Sequence, residues 1–98
     1  MECKVIWTDA AIVDLHGVCS YIAEDNPAAA LRMGEGILTC IGGLTKFPYM
    51  GNSYPTGTKS NLREIGFRKQ RIFYEVDEKR HAVSILHIWH GARAEPKF

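Results

Sequence analysis

The chain has 98 residues, of which 46% are apolar and 23% charged, and its formal net charge is +1. This composition is that of an ordinary globular protein and excludes disordered, collagen-like and coiled-coil classes. The length predicts one domain over residues 1–98, large enough to fold without metal or disulfides. The start of the chain lacks the features of a signal peptide, and no apolar run reaches the roughly 18 residues of a membrane helix. We therefore expect a cytoplasmic protein with no membrane partner.

The charges are distributed unevenly along the chain. Residues 1–50 carry three Lys/Arg against six Asp/Glu, a net charge of −3, whereas residues 51–98 carry nine against five, a net charge of +4. Basic residues are densest between Lys59 and Arg71, a pattern typical of a surface that meets phosphates or an acidic protein segment. The alternative interpretation is that these residues form a solvated sheet edge whose charges prevent other strands from pairing with it. The three cysteines, at positions 3, 19 and 40, are odd in number and widely spaced, which predicts reduced thiols.

The N-terminal quarter predicts a strand that runs straight into a helix. Residues 4–7 are rich in β-formers, and Thr8 and Asp9 supply an N-cap and a first-turn acid. The apolar spacing of three and four predicts a core-facing stripe on this helix. The stripe contains Ile12, Leu15, Val18, Cys19 and Ile22, whereas Asp14, Ser20 and Glu24 are expected to face water.

A second helix is predicted to begin at Asn26 and Pro27, because asparagine is a good N-cap and proline is tolerated at the first helical position. The short connection makes the two helices an antiparallel pair. The apolar side of the second helix is expected to contain Leu31, Gly34, Leu38, Ile41 and Leu44 or Thr45. Phe47 and Pro48 end it.

The C-terminal half predicts a loop followed by three strands. Residues 48–60 read as a loop and a candidate binding element, since they are rich in glycine and proline. Residues 62–67 and 70–76 predict two strands joined by a tight turn near Arg68 and Lys69. Residues 84–93 predict a central strand that breaks at Gly91 and presents Arg93 at its end. Alternation would place Val83, Ile85, His87 and Trp89 on one face and Ser84, Leu86, Ile88 and His90 on the other.

The predicted order is therefore β-α-α-β-β-β. It describes an α+β fold in which an N-terminal short strand and an antiparallel helical hairpin pack on a mostly antiparallel sheet.

Known catalytic and metal-binding motifs are missing from the sequence, which predicts no cofactor and no metal. The pair His87 and His90 is spaced so that the two rings of a regular strand point to opposite faces. Ribonuclease chemistry stays open, because it needs a base, an acid and cations that stabilise the phosphorane. Residues of these types are His87, His90, Arg63, Arg71 and Arg93.

Several segments together resemble the RelE/ParE superfamily of type II toxins. They are Val-Ile-Trp-Thr-Asp-Ala-Ala at 5–11, Asp-Asn-Pro-Ala-Ala at 25–29, Leu-Arg-Glu-Ile at 62–65, Arg-Ile-Phe-Tyr-Glu-Val at 71–76, and Ile-Leu-His-Ile-Trp-His-Gly-Ala-Arg at 85–93. The resemblance spans almost the whole chain, and its order of elements agrees with the fold predicted above. It implies a toxin of a plasmid-stabilisation system that is silenced by a cognate antitoxin, through an acidic, amphipathic C-terminal segment of that partner.

The superfamily has two well-known branches, which imply different targets. The RelE-like branch cleaves mRNA in the ribosomal A site and relies on arginines that match Arg71 and Arg93, with His90 as a further candidate. That branch also has a basic pair on the first hairpin strand, but the matching positions here fall near Leu62 and Glu64. The position of its C-terminal tyrosine would lie just past Phe98. The resemblance is therefore closer to the ParE-like branch, which inhibits DNA gyrase.

In the ParE-like interpretation the chain is a binding protein with no catalytic residue. Its antitoxin- or target-binding residues are then expected among Arg63, Arg68, Lys69, Arg71 and Arg93. A family member with another target, or without toxicity, is the third alternative.

Overall fold

The computed structural model of the protein describes residues 2–54 and 61–91. Two helices pack on one face of a five-stranded sheet, which is the predicted α+β fold. The elements in chain order are β1 (Lys4–Trp7), α1 (Asp9–Ala23), α2 (Pro27–Gly43), β2 (Asn52–Ser53), β3 (Leu62–Phe67), β4 (Gln70–Asp77) and β5 (Ala82–His90).

The sheet has the order β1-β5-β4-β3-β2. Strand β1 pairs with β5 in parallel, and the other three pairs of strands are antiparallel. The prediction of an interior C-terminal strand is confirmed, because β5 lies between β1 and β4. One prediction is wrong: the segment expected to be a loop contains the short edge strand β2, whose Asn52 pairs with Glu64. Residues 55–60 of that segment lie outside the described part of the chain.

Both predicted N-caps are present. The Ala11 amide donates to Thr8 Oγ1 over 3.2 Å, and the Ala29 amide donates to Asn26 Oδ1 over 3.1 Å. Thr8 Oγ1 also donates to the carbonyl of Ile85 over 2.7 Å. The Thr8 amide donates to the same carbonyl over 3.2 Å, at the point where the pairing of β1 with β5 ends. The cap therefore fixes the start of α1 against the central part of the sheet.

The predicted core-facing stripes of the helices are only partly right. On α1, Ile12 is exposed although it was expected in the core, and Ala11 is fully buried instead. On α2, Leu31 and Leu38 are both more than half exposed. The buried positions of this helix and its C-cap are Ala30, Ile37, Ile41 and Leu44. Ile41 and Leu44 are thus buried as predicted, whereas in the earlier part of α2 the preceding residues, Ala30 and Ile37, are buried in place of Leu31 and Leu38.

The predicted two faces of β5 are also wrong at its C-terminal end. The register between β4 and β5 shifts between Phe73, which pairs with His87, and Tyr74, which pairs with Ile85. This β-bulge leaves one extra residue on β5, so the alternation of side chains changes phase there. As a result Ile88 joins Ile85 in the buried core instead of facing the opposite side.

The carboxylate of Asp14 holds the bulge in place, although the sequence predicted that it faces water. Asp14 Oδ2 lies 2.9 Å from His87 Nδ1 and accepts the amide proton of Ile88 over 3.1 Å. Its side chain is only 19% exposed. An ionised carboxylate that accepts a backbone N–H at the unpaired edge of a strand replaces the hydrogen bond that a neighbouring strand would provide. Asp14 therefore joins α1 to β5 beyond the end of β1.

A buried tyrosine connects the core to the segment before β2. Tyr74 is fully buried in the core cluster, and the Gly51 amide donates to its hydroxyl oxygen over 2.9 Å. Burial raises the pKa of Tyr74 above its ordinary value of 10.0, and the hydrogen bond from Gly51 opposes that change. The folded state thus prefers the neutral phenol, which anchors the segment at Gly51.

We expect Tyr74→Phe to lower the free energy of unfolding at neutral pH by about 1 kcal/mol, because the Gly51 amide loses its partner. The stability gained from the raised pKa is present below pH 10 and is lost as the pH rises above it. The fall of wild-type stability above pH 10 should therefore be smaller in Tyr74→Phe. Urea unfolding at a series of pH values measures both effects. Tyr21→Phe, which changes an exposed phenol, should match the wild type at neutral pH; equal behaviour of the two variants there would contradict the role of Tyr74.

Candidate functional site

Most of the basic residues singled out from the sequence meet at the turn between β3 and β4. This turn and the end of β5 surround a shallow basin of about 550 Å³. Its lining contains Gly66, Arg68, Lys69, Gln70, Arg71, His90 and Gly91. The structure therefore brings four of the predicted site residues, Arg68, Lys69, Arg71 and His90, to one end of the sheet. Arg93 lies outside the described residues.

The charge of Arg71 is engaged by an acid on the neighbouring strand. Its Nε donates to Glu64 Oε2 over 2.9 Å, and its Nη2 lies 2.7 Å from the same oxygen. The guanidinium also lies over the ring of Phe73, 4.9 Å from its centroid, and 5.9 Å from the centroid of Tyr54. Such a pair neutralises much of the positive charge that a bound phosphate would meet. Arg71 is therefore held within the sheet surface by charge and by aromatic contact.

We expect Glu64→Gln to lower the free energy of unfolding by about 1 kcal/mol, because Arg71 then keeps a half-buried charge without its anionic partner. Thermal and urea denaturation measure the change. The matched control is Asp77→Asn, whose partner Arg80 is 76% exposed at a distance of 3.7 Å. Exposed pairs of this kind contribute little, so the control should change stability by less than about 0.5 kcal/mol. Equal losses in the two variants would contradict a special role for Glu64.

Arg63 lies away from the basin and serves a different part of the structure. Its Nη1 donates to the Gly51 carbonyl over 2.7 Å, and its guanidinium lies 4.8 Å from the ring centroid of Tyr49. The Tyr49 hydroxyl in turn donates to Glu78, and this hydrogen bond is the main reason why the pKa of Tyr49 is raised. Arg63 pairs with Tyr74 on β4, whereas Gly66 is the residue opposite Arg71. Arg63 therefore points to the other face of the sheet and holds the segment before β2.

A larger groove lies beside the basin, between α1 and the end of the sheet. Its volume is about 910 Å³. Helix α1 contributes one wall, and the other wall comes from the β3–β4 turn and from β5. The lining includes Val13, Gly17, Val18, Tyr21, Arg68, Lys69, Ile88 and His90. Because β1 ends opposite Ile85, no strand covers the adjoining edge of β5 at residues 86–90 within the described part of the chain.

Two residues of this region were not singled out as site residues from the sequence. Gln70 is 6% exposed, and its Oε1 has no hydrogen-bond partner in the part of the chain that the structure describes. Asp14 borders the groove and bonds to β5. No local pattern marked Asp14, because its position on the core-facing side of α1 follows from the burial of Ala11, which only the structure shows. Gln70, a polar residue between Lys69 and Arg71, gave no signal either.

The described residues 2–54 and 61–91 contain no group of three His, Cys, Asp or Glu side chains arranged to hold a metal ion. In the same residues, neither helix is long and apolar enough to cross a membrane. The three cysteines are free, and Cys3 is buried in the core. The residues that line the groove and the basin form a basic, partly apolar surface.

Residues 5–95 match the family model described as ParE toxin of type II toxin-antitoxin system, parDE. The chain belongs to the ParE toxin family. The toxin is also 30% identical to Toxin RelE2 of Caulobacter vibrioides over 86 residues, which cover 86% of this chain and 93% of that protein. Both matches place it in the RelE/ParE superfamily, as the sequence segments predicted.

Solved structures with the same fold include toxins of both branches. The chromosomal ParDE system of P. aeruginosa gives a TM-score of 0.72 at 21% identity, covering 91% of this chain and 96% of that chain. The toxin-antitoxin complex RelBE2 of Mycobacterium tuberculosis gives 0.62 at 22% identity, covering 92% and 99%. A mutant of toxin RelE from E. coli in the free state gives 0.68 at 13% identity, covering 94% and 86%. At these identities the likeness concerns the fold.

Proposed function

We propose that this type II toxin inhibits DNA gyrase, in the cytoplasm, as the toxic component of a plasmid-stabilisation system. We further propose that a cognate antitoxin keeps it silent through an acidic, amphipathic segment. The match to the ParE family model supports this target, because the ParE-like branch is the gyrase-inhibiting one. In this proposal the toxin binds an enzyme and has no catalytic residue of its own.

The state of Arg71 is the single observation that carries the choice of target. A ribonuclease needs uncompensated cations where charge develops on the phosphorane. Arg71 instead shares its charge with Glu64 over 2.7 Å and lies against Phe73. Freeing it would cost the ion pair and leave Glu64 close to the RNA phosphate, which that carboxylate would repel. The described residues thus favour a protein partner over a scissile phosphate.

A second candidate function is ribosome-dependent cleavage of mRNA. Two observations favour it: the relative with 30% identity carries the name Toxin RelE2, and the basin collects Arg68, Lys69, Arg71 and His90. In that case Arg71, Arg93 and His90 would be the catalytic residues, and the ribosome with its mRNA would be the target.

The two functions make opposite predictions for purified toxin. We expect it to block supercoiling of relaxed plasmid by gyrase, and to leave a translated message uncut when primer extension maps its ends. The variant Arg71→Ala separates them further, since a catalytic arginine would carry a loss of cleavage on the order of 100-fold or more. If gyrase is unaffected at concentrations that arrest growth, the proposal is wrong. New message ends that disappear in Arg71→Ala would establish the second candidate.

A further inference from the structure

The groove beside α1 has the size and the lining of a small-molecule site. Its volume of about 910 Å³ lies within the range of roughly 300–1,000 Å³ that such sites occupy. The α1 wall runs from Val13 to Ile22, which corresponds to roughly 14 Å at 1.5 Å per residue. Val13 and Tyr21 on this wall are 68% and 76% exposed, although both side chains are large and mostly apolar. The groove therefore offers a long apolar surface to a ligand.

The charges of the groove differ between its two ends. Helix α1 runs beside β5 in the same direction, since its N-cap bonds to Ile85 and Asp14 bonds to Ile88. Its later turns therefore approach the β3–β4 turn, which brings Arg68 and Lys69 to the same end of the groove. An anionic group is attracted to that end and repelled by the carboxylate of Asp14. The charges thus orient a ligand as well as select it.

Gln70 provides an independent sign that a ligand belongs at the cationic end. Its side chain lines the groove, is 6% exposed, and carries an Oε1 atom with no hydrogen-bond partner among residues 2–54 and 61–91. A buried polar atom without a partner destabilises the protein that contains it. The terminal torsion of glutamine is soft, so the amide can turn this oxygen toward a ligand. Because the oxygen only accepts, the ligand that satisfies it brings an N–H or O–H group.

Two positions on the walls carry local costs that nothing in the described structure explains. Gly17 lies in the middle of α1, where glycine is a poor helix former, and a Cβ built there would meet no atom within 4 Å. Arg68 has φ +55°, a conformation that glycine and asparagine adopt far more easily. Both positions border the groove, so both costs fall where a ligand would bind. The missing side chain at Gly17 keeps the middle of the groove open.

We propose that this groove binds an anionic amphiphile whose carboxylate headgroup is flanked by a hydrogen-bond donor, which is the chemistry of a 3-hydroxy fatty acid. The carboxylate pairs with Arg68 and Lys69 at the turn. The hydroxyl donates to Gln70 Oε1, and the aliphatic chain packs on Val18 and Ile88. This ligand site goes beyond the proposed function and does not depend on the target of the toxin.

Each part of this ligand answers a separate feature of the groove. A phosphate ion alone would leave the apolar wall in contact with water, and a neutral hydrocarbon would leave the cations and Gln70 without a partner. A second copy of the toxin, docked across a two-fold axis, would bring the cations of two grooves together, and like charges would repel. An anion that carries both a donor and an aliphatic chain meets all three requirements.

The first test varies the ligand on the wild-type toxin. The probes are 3-hydroxydecanoate, decanoate and decyltrimethylammonium, titrated calorimetrically at concentrations where each is monomeric. We expect 3-hydroxydecanoate to bind about tenfold more tightly than decanoate, because only the former donates to Gln70 Oε1. The cationic probe should bind about tenfold more weakly than decanoate, because Arg68 and Lys69 repel it. Equal affinities of the three probes would mean unspecific apolar contact and would overturn the proposal.

The second test compares two glycines that are equivalent within the fold. Gly17→Met would fill the groove, whereas Gly42→Met adds the same side chain to a position on α2 that also has nothing within 4 Å of a Cβ. Both variants should fold at least as well as the wild type, because methionine is a good helix former. We expect Gly17→Met to weaken binding of 3-hydroxydecanoate about tenfold or more and Gly42→Met to leave it unchanged. Unchanged binding in both variants would place the ligand elsewhere and overturn the proposal.

The third test removes the amide of Gln70. In Gln70→Leu, a change of similar volume, the preference for 3-hydroxydecanoate over decanoate should disappear while decanoate keeps its affinity. Both probes are measured on the same variant, so a general loss of folding would lower the two affinities together. A preference that survives in Gln70→Leu would overturn the assigned hydrogen bond.

The fourth test concerns the charge at the turn. Lys69→Gln should weaken the binding of both acids and reduce its dependence on salt. The matched control is Lys79→Gln, which changes an exposed lysine in the turn between β4 and β5 and should leave binding unchanged. Equal effects of the two substitutions would indicate attraction by net charge and would contradict a headgroup site at Lys69.

Other occupants of the groove would give different results. Sedimentation of the wild type with phosphatidylglycerol vesicles, without binding of the monomeric probes, would assign the groove to a membrane surface and overturn the proposal. Dimerisation that Gly17→Met abolishes, again without probe binding, would assign it to a second copy. The ligand site and the proposed function fail separately. Gyrase inhibition without probe binding refutes the site alone, whereas probe binding without gyrase inhibition supports the site and refutes the proposed function.

Discussion

Gly51→Ala is expected to lower the free energy of unfolding by about 3 kcal/mol. A Cβ at this position would lie 2.5 Å from the carbonyl oxygen of Glu64 and 2.6 Å from the hydroxyl of Tyr74. The added Cβ would be caught between the backbone of β3 and the buried ring of Tyr74. Moving these groups apart would break the hydrogen bond between Gly51 and Tyr74 and the one between Arg63 and the Gly51 carbonyl. Overpacking and the lost hydrogen bonds together account for the expected size.

The measurement is urea unfolding of Gly51→Ala beside Gly42→Ala. A Cβ at Gly42 meets no atom within 4 Å, and Gly42 lies inside α2. Alanine there should raise the free energy of unfolding by up to about 1 kcal/mol, because alanine is the better helix former. The two Gly→Ala substitutions should thus change the free energy of unfolding in opposite directions. A Gly51→Ala protein as stable as the wild type would show that the segment before β2 moves away at little cost.

The second large effect is expected from Asp14→Ala. This change leaves the Ile88 amide and the His87 ring without their shared acceptor at a part-buried edge of β5. The loss of a charged acceptor from an amide typically lowers the free energy of unfolding by about 2 kcal/mol. The bulge also loses its attachment to α1. The loss should concentrate in β5, so hydrogen exchange at the Ile88 amide should accelerate more than exchange elsewhere in the sheet.

Glu35→Ala is the matched control for Asp14→Ala, since it removes an exposed carboxylate from the other helix. We expect it to change stability by no more than about 0.5 kcal/mol. If Asp14→Ala behaves like this control, the hydrogen bonds of Asp14 contribute nothing to stability. If Asp14→Ala lowers the free energy of unfolding by the same amount in a protein whose His87 has also been replaced, the whole effect belongs to the Ile88 amide.

The elements of the fold could be predicted because their signals are local. Thr8 and Asn26 cap the helices through their own following residues, and the β3 and β4 strands are bounded by the turn at Arg68 and Lys69. The faces of the elements were harder to predict. Periodicity finds an apolar side on α2, but both Leu31 and Ile37 fit an apolar stripe, and only packing against the sheet decides which is buried.

The sequence predicted which residue types belong to the site, but not which contacts those residues make. Arg63 and Arg71 were expected to meet a partner, yet the structure gives each of them an internal contact, with Gly51 and Glu64 respectively. These contacts depend on strand register and on the course of the segment before β2, which no local pattern encodes. The bulge in β5 is of the same kind, since it is visible only when Phe73 and His87 are known to pair.

The parallel pairing of the first strand with the last also governs when this protein can fold. Thr8 bonds to Ile85, 77 positions away, and β1 has no other strand beside it in the described sheet. Contacts of such sequence separation form late and slowly, because a long loop must close before they give any stability. Within the described sheet, Lys4–Trp7 therefore has no strand to pair with until Ala82–His90 has been synthesised and has left the ribosome. The edge of the sheet formed by the first strand closes only after the last strand is available.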